Sequence, residues 1–524
     1  MTRFVMVADL NRCVGCQTCT AACKQANTTA PGVQWRKVLD FEAGEYPDVA
    51  RAFVPVGCMH CDEPPCLDVC PSTATKKRDD GIVSIDYSIC IGCSYCAVAC
   101  PYQARYRVDT PNEAYGHHKA MKHEVVRENW DRRSVAQKCT FCIEKLDPAI
   151  ARGKIPGVDQ EATPSCVNSC IAGALQFGDS DDPDSNVSIL LRENRQFLMH
   201  EELGTGPAIH YLWQRGADES DQTETPVLVE EATGQEAVAP KLQTQWDWRA
   251  AANFFFGGTG TGLFATAMAA GLLAPIWWPA IFVALTLVGL GLFCVWLEIG
   301  RPWRFLNVFR HAARSWMTRE AMVAIVFFAT GGLAWLLSSW PLGVLAAIAG
   351  LAFLYCQGRI LKAAKGIPVW RQAEIVPLIL ITGMTEGAGL FSSLFVLWVP
   401  QNTVVFALSA LLMTLLALRS LAWWDYRRAL GSTGAPTRAF DALDAGLINF
   451  TFPGQLMIMM IAATGFIYPP ALIGAGLMAM LTGWGFKFTL ITKAAFNQGY
   501  AINHMPARGG GESTRGIKPG WMVS

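Results

Sequence analysis

The chain has 524 residues, of which 52% are hydrophobic and 18 are cysteine, and its 43 basic residues balance its 43 acidic ones. That length allows two or three domains. The neutral total averages two unlike halves, charged and cysteine-rich to about residue 245, then long apolar runs from Asn253 to Phe496; no nucleic-acid partner is expected.

The amino terminus, Met1 to Leu10, lacks both the apolar core of a signal peptide and a twin-arginine pair. Sixteen cysteines fall in four tight groups, a ligand spacing rather than a disulfide spacing. The third group, Cys90, Cys93, Cys96 and Cys100 followed by Pro101, is the bacterial ferredoxin run, in which three thiolates hold one cubane and the fourth reaches another. Cys13, Cys16, Cys19 and Cys23 repeat that spacing. Cys58, Cys61, Cys66 and Cys70 have two extra residues in the middle. The last group opens with Cys139 and Cys142 and closes, after an insertion, with Cys166 and Cys170. Zinc sites favour paired Cys-x-x-Cys knuckles rather than repeated quartets.

No quartet position is replaced by Trp, Asp or His, so four [4Fe–4S] clusters are expected and no [3Fe–4S] centre. The second and third groups sit close together and should exchange their fourth ligands, as in a two-cluster ferredoxin, which leaves the first and fourth groups to pair. The expected sets are Cys58, Cys61, Cys66 with Cys100, and Cys90, Cys93, Cys96 with Cys70. The other two are Cys13, Cys16, Cys19 with Cys170, and Cys139, Cys142, Cys166 with Cys23. Four clusters in one small domain form a wire for single electrons, with no open metal position for substrate chemistry. The stretch from Arg105 to Lys138 is basic, through Arg105, Arg107, Lys119, Lys122, Arg127, Arg132 and Arg133. It serves either as a dock for a larger subunit or as a solvated insertion.

The expected domains are a cluster domain over 1–215, an acidic disordered linker over 216–245, a membrane anchor over 246–497 and a tail over 498–524. The linker carries Asp218, Glu219, Asp221, Glu224, Glu230, Glu231 and Glu236 with no base before Lys241, a composition that favours disorder. Apolar runs near 253–273, 276–297, 320–339, 341–358, 374–397, 402–424, 446–467 and 470–493 each approach the roughly 20 residues a crossing helix needs. The predicted fold class is therefore an α+β ferredoxin-like polycluster domain followed by an all-α, eight-helix transmembrane bundle.

Connections after the first, third, fifth and seventh runs carry no charge. The others hold Arg301, Arg304, Arg310, Arg314 and Arg319, then Arg359, Lys362, Lys365 and Arg371, then Arg427, Arg428 and Arg438, with Arg508, Arg515 and Lys518 in the tail. Positive loops stay inside. The reading is a multi-pass protein of the bacterial cytoplasmic membrane, with the cluster domain and both termini cytoplasmic.

In the anchor half His311 and His504 lie in charged flanks, whereas haem takes axial histidines from within helices. No haem is expected, and a quinone, ubiquinone or menaquinone, is the natural electron partner in the lipid. Ionisable residues in or beside spans are functional candidates. Glu298, Arg301, His311, Arg319 and Glu320 gather around one loop and form the candidate quinone site, or else pair among themselves at the interface. Glu386 reads equally as functional or as a helix–helix contact, Arg419 as snorkelling to the interface, and Cys294 and Cys356 as packing.

The first half, through Ala172-Gly-Ala-Leu175, resembles the iron–sulfur subunit of the dimethyl sulfoxide reductase family. The second half resembles the family's membrane anchor at Glu298-Ile-Gly-Arg-Pro-Trp-Arg-Phe-Leu-Asn307, at Ser315-Trp-Met-Thr-Arg-Glu320 and at Lys518-Pro-Gly-Trp521. The resemblance implies the cluster pairing above and a separate large catalytic subunit holding molybdenum bis-pterin. In related anchors a histidine and a glutamate flanking this loop are associated with menaquinol; Glu320 matches the glutamate, while Glu298 stands where the histidine is expected. Charge orientation is closer to membrane-bound sulfite dehydrogenase, so sulfite oxidation on the cytoplasmic face with electrons passing to quinone is the expected function. The alternatives are a quinol-driven reductase of dimethyl sulfoxide, another S- or N-oxide or a polysulfide, a cluster-driven ion pump, and a purely structural anchor.

Overall fold

A computed structural model describes residues 2–45, 48–110, 130–213, 238–398, 402–446 and 450–502. Most of the expected linker, the basic residues Lys119, Lys122 and Arg127, and the tail beyond 502 with His504, Arg508, Arg515 and Lys518 lie outside the described residues.

The cluster domain is built on a four-stranded sheet. Its central strand β1 (Phe4–Asp9) is buried along its whole length, as an apolar strand covered on both faces must be. It pairs in parallel with β10 (Ile209–Leu212) and antiparallel with β8 (Leu175–Asp179), and β9 (Gln196–Phe197) completes the edge beside β10. A long hairpin of β2 (Arg36–Glu45) and β3 (Asp48–Gly57) flanks it. Two short pairs follow, β4 (Thr75–Lys77) with β5 (Val83–Ile85) and β6 (Tyr106–Arg107) with β7 (Ala136–Gln137). The first and last strands of the domain are thus neighbours, which closes it around the cysteine loops.

The helices among those loops repeat the cysteine pattern. Cys19 and Cys23 lie on α1 (Thr18–Asn27), Cys66 on α2 (Pro65–Asp68), Cys96 on α3 (Tyr95–Val98) and Cys166 on α5 (Ser165–Asn168). Helix α4 (Ile143–Ala151) follows Cys142, and α6 (Asn186–Glu193) covers the sheet.

Eight long or apolar helices then occupy the eight predicted runs: α7 (Trp248–Ala270), α8 (Trp278–Glu298), α9 (Trp316–Leu337), α10 (Trp340–Ala363), α11 (Ile375–Trp398), α12 (Asn402–Leu430), α14 (Phe452–Thr464) and α15 (Ala471–Thr492). A further short helix, α13 (Thr437–Gly446), lies in the connection before α14 and was not foreseen from the sequence. Among the described residues six helices are long and apolar enough to cross a membrane, two fewer than the sequence reading. The exceptions are α14, only 13 residues long, and α7, whose Gly257-Gly258-Thr259-Gly260-Thr261-Gly262 run dilutes its apolar character. Helix α7 is nonetheless largely enclosed, packed against α8, α10, α11 and α15.

The two halves are not separate bodies on a tether. One hydrophobic core joins Cys66, Cys70, Cys90 and Cys96 to Trp246, Phe254, Leu354 and Trp370. The end of the expected disordered linker is ordered: Leu242 bridges Phe496, Gln243 donates to the Ile491 carbonyl at 2.8 Å, and Tyr500 donates its backbone N–H to Val238. Tyr500 also donates its hydroxyl to the Tyr102 carbonyl at 2.7 Å. Residues 497–502 therefore belong to the cluster domain's core rather than to a free tail.

Candidate functional site

Each quartet begins with the same turn. The residue just before its second cysteine, Gly15, His60, Gly92 or Phe141, has a φ between 45° and 72°. After three of the fourth cysteines the chain turns left-handed again, at Thr73, Gln103 and Gly173. Such residues reverse the chain so that successive amides point to one side, forming a nest for negative charge.

The turns bring the cysteines into the expected sets. Cys13, Cys16, Cys19 and Cys170 line one pocket. Cys23 faces Cys139, Cys142 and Cys166; Cys61 faces Cys58, Cys66 and Cys100; Cys93 faces Cys70, Cys90 and Cys96. Four cysteines gathered around one point are the ligand set of an iron–sulfur cluster. The sets also follow one another, with Cys19 near Cys166, Cys139 near Cys58, and Cys66 near Cys96.

Buried cations stand between them. Arg36 has no exposed surface and lies among Cys166, Cys139 and Cys19. Arg105 donates to Cys66 Sγ at 2.9 Å and to Thr75 at 3.0 Å, with Cys96, Cys58 and Cys100 around it. Burial opposes the charge of both guanidiniums, but the neighbouring thiolates outweigh it and hold both pKa values up. Lys138, also fully buried, donates to the Val83 and Cys139 carbonyls. His60 accepts the Val83 amide at Nδ1 and stacks on Phe141 at 3.7 Å. Burial, reinforced by Lys138, Arg36 and Arg105, pushes its pKa well down, so it remains neutral.

The set holding Cys93 sits against the membrane helices. Gly300 donates to the Gly92 carbonyl and Arg301 to the Ile91 carbonyl, joining the cysteine turn to the end of α8. Arg107 bridges the same point, bonding the carbonyls of Gly92 at 2.7 Å and Glu298 at 3.3 Å. On the other flank His311 Nδ1 lies 2.8 Å from the Cys70 carbonyl and Ser315 donates to Val69. Tyr95 donates to the Ile360 carbonyl at 2.7 Å.

Between these contacts lies a small, partly enclosed cavity, walled by Cys93, Trp246, Asn253, Met317, Glu298 and Glu320 among others. Both glutamates are buried, at 5% exposure each. Glu298 Oε1 accepts the Asp247 amide at 3.3 Å and Glu320 Oε1 accepts from Asn253 Nδ2 at 3.2 Å. The space pairs apolar walls with two carboxyl groups, as a site for a small apolar ring with polar oxygens requires.

Of the five residues assigned to a quinone from the sequence, the structure brings only Glu298 and Glu320 to this cavity. Arg301 donates to the Arg133 carbonyl and His311 holds the Cys70 loop, so both fasten the cluster domain. Arg319 donates to the Ala312 and Ala313 carbonyls and stacks on Trp316 at 4.3 Å. Trp246, Asn253 and Met317 were missed by the sequence reading. Asn253 carried a signal, as an amide opening an apolar helix shortly before a glycine run. Arg419 does not snorkel: it is fully buried and donates to Gln455 and to the Ala479 carbonyl. Glu386 pairs with Lys487 at 2.7 Å, both fully enclosed.

A chain of cysteine quartets ending on a buried cavity in a helical anchor defines an electron-carrying membrane protein. Residues 49–116 match the 4Fe-4S dicluster domain, and residues 276–424 match the DMSO reductase anchor subunit (DmsC). The chain is 40% identical over 221 residues to a selenate reductase subunit of Mesobacillus selenatarsenatis, covering 40% of this chain and 72% of that one. It is 40% identical over 231 residues to a sulfite dehydrogenase subunit of Allochromatium vinosum, covering 41% and 85%. A protein of Halobacterium salinarum described as a putative dimethyl sulfoxide reductase iron–sulfur subunit is 38% identical over 226 residues, covering 40% and 79%. The chain belongs to the family of iron–sulfur subunits of dimethyl sulfoxide reductase-type complexes, here with the family's membrane anchor in the same polypeptide. It carries electrons within an oxidoreductase complex and does not hold the substrate-converting centre.

Proposed function

We propose that the sixteen quartet cysteines hold four [4Fe–4S] clusters and that the chain passes electrons from a large molybdopterin catalytic subunit to quinone. The clusters supply one-electron steps; the protein fixes their order and surroundings. The observation that carries the reading is that Cys93, in the last set, and the carboxyls of Glu298 and Glu320 wall the same cavity. Electrons leaving that set would meet a quinone where two acids stand ready to exchange protons with its oxygens.

The opposite end of the series is the outer one. Cys16 is exposed, beside exposed Val14 and Ile171, which suits contact with the catalytic subunit. Arg36 and Arg105 would each stabilise added negative charge on two neighbouring clusters.

The arginine-rich connections lie on the same side as the cluster domain, since Arg304 bonds the Tyr87 carbonyl, Arg314 pairs with Asp68 and Arg371 reaches Gln498. With positive loops retained inside, that side is cytoplasmic, and α7 and α14 complete eight crossings. A cytoplasmic catalytic subunit favours sulfite oxidation feeding quinone. The second reading, a quinol-driven reductase, draws on the relatives named for selenate and dimethyl sulfoxide reduction.

The test is steady-state turnover of the intact complex. Sulfite should reduce a quinone analogue; brisk quinol-driven reduction of dimethyl sulfoxide or selenate without sulfite oxidation would reverse the direction. Iron near sixteen atoms per chain is expected of four cubanes.

A further inference from the structure

We propose that the anchor carries a second proton-exchange site in the middle of its helix bundle, the Glu386–Lys487 pair, which supplies one of the two protons consumed when quinone is reduced. The inference rests on the quinone reading of the cavity and adds a route and a second site to it.

Helix α11 starts on the cluster side. At 1.5 Å per residue Glu386 lies about 16 Å along it, near the middle of a hydrocarbon core about 30 Å thick. An ion pair there is weak evidence for stability, because desolvation offsets the attraction unless the remaining polar atoms are satisfied. Here they are not. Glu386 Oε2 accepts from Lys487 and, at 3.1 Å, from Thr259, whose own oxygen accepts from Trp484 at 2.8 Å; Glu386 Oε1 has no partner. Space around the pair is kept by glycine. A Cβ at Gly483 would come within 2.4 Å of Glu386 Oε1, and one at Gly258 within 2.2 Å of Lys487 Nζ.

The pair is connected to the cavity along α7. Lys487 Nζ donates to the Phe254 carbonyl at 2.9 Å, and Phe254 and Asn253 both line the cavity. Asn253 bonds Glu320, and Gln357 donates to the Asn253 carbonyl at 2.9 Å. The buried acceptors Asn253 Oδ1 and Gln357 Oε1 are unpartnered, like Glu386 Oε1. A series of unused acceptors between two carboxyls is costly in an apolar interior and is what a proton path needs. Glu298, by contrast, bonds the amide of Asp247, which with Arg249 borders solvent on the cluster side. The two cavity acids thus have different supplies.

Quinone accepts two electrons, one at a time from the adjoining cluster, and two protons. One proton comes from Glu298, replaced from the cluster side. The other comes from Glu320, which recovers it from Lys487 through water held against the free oxygens of Gln357 and Asn253, and Lys487 takes its replacement proton from bulk water between turnovers. Lys487, Glu386 and the nearby Arg419 then pass from a net charge of +1 to zero, so no isolated charge is left in the bundle.

Because cavity and clusters share one side, electron motion displaces little charge across the bilayer, and a proton drawn from mid-membrane displaces much more. The full chain in phosphatidylethanolamine–phosphatidylglycerol vesicles with decylubiquinone, reduced from the cluster side by a photoexcited water-soluble ruthenium complex, should give a potential-dye signal that accompanies quinone reduction. Glu386→Gln combined with Lys487→Gln should lose most of that signal and slow quinone reduction. Thr259→Val, which keeps both charges, should slow the signal and guards against misfolding of the double variant. A wild-type chain that reduces quinone without charge displacement, or variants with an unchanged signal, overturns the inference alone. Failure of wild type to reduce quinone overturns the quinone reading as well.

Discussion

Trp246 donates its indole N–H to the backbone carbonyl of Cys93 at 3.0 Å while its ring stacks on Trp370 at 5.6 Å. One side chain therefore fixes the last cysteine turn, one cavity wall and a helix connection. Trp246→Phe keeps an aromatic ring and leaves the buried carbonyl unsatisfied, at a cost of about 1–3 kcal/mol. The expected result is earlier thermal loss of iron from the membrane-side cluster, followed by its absorbance and electron paramagnetic resonance, with the distant clusters retained.

Arg105 donates directly to the sulfur of Cys66 and lies among cysteines of two sets. Replacing it with Leu removes a buried positive charge that both sets share. Both neighbouring potentials should move negative, on the order of 59 mV for each tenfold change in a one-electron equilibrium. A redox titration followed by electron paramagnetic resonance measures this, and unchanged potentials would dismiss Arg105 as a tuning charge.

Glu320→Gln and Glu298→Gln should each leave reduction of the clusters by an external donor intact. Each should lower quinone turnover by about 100-fold, the usual scale for losing a positioned acid or base. Stopped-flow traces separate the two steps. If both variants turn over quinone normally, the cavity is not the exchange site.

Gly92 combines a φ of 72° with a Cβ position 2.0 Å from the Ser134 carbonyl oxygen, and a Cβ at Gly300 would come within 2.1 Å of the same atom. Gly92→Ala adds left-handed strain of about 1–3 kcal/mol to a backbone clash that no rotamer relieves. Iron content per chain should fall, with the Cys70–Cys90–Cys93–Cys96 site lost first. Gly300→Ala, with ordinary φ, should instead loosen the domain contact and expose Cys93 to alkylation.

The cysteine groups were legible because ligand spacing is local: in three of them the first three sulfurs come from one short run, whereas Cys166 joins Cys139 and Cys142 from beyond an insertion, and each fourth ligand has to be found elsewhere. The spans were legible for a similar reason, since hydrophobicity accumulates along one helix. Helix α7 shows where that rule fails. Enclosed by four neighbours, it has little lipid face to keep apolar, and its glycines and threonines serve close packing. The linker's end was misread because composition is silent about partners. Val238 and Leu242 are ordered by Tyr500 and Phe496, which lie far along the chain in the segment after the last helix. Likewise Arg301 and His311 had the right chemistry for a quinone, but the carbonyls of Arg133 and Cys70 claim them, and no pattern in the sequence announces that claim.

Gly92, Ser134 and Gly300 meet through main-chain atoms. The seam between the Cys93 turn and the end of α8 is therefore held by peptide atoms, and a side chain added at either glycine would pry the two backbones apart. Side chains on the surrounding surface can change without moving that seam, because none of them takes part in it.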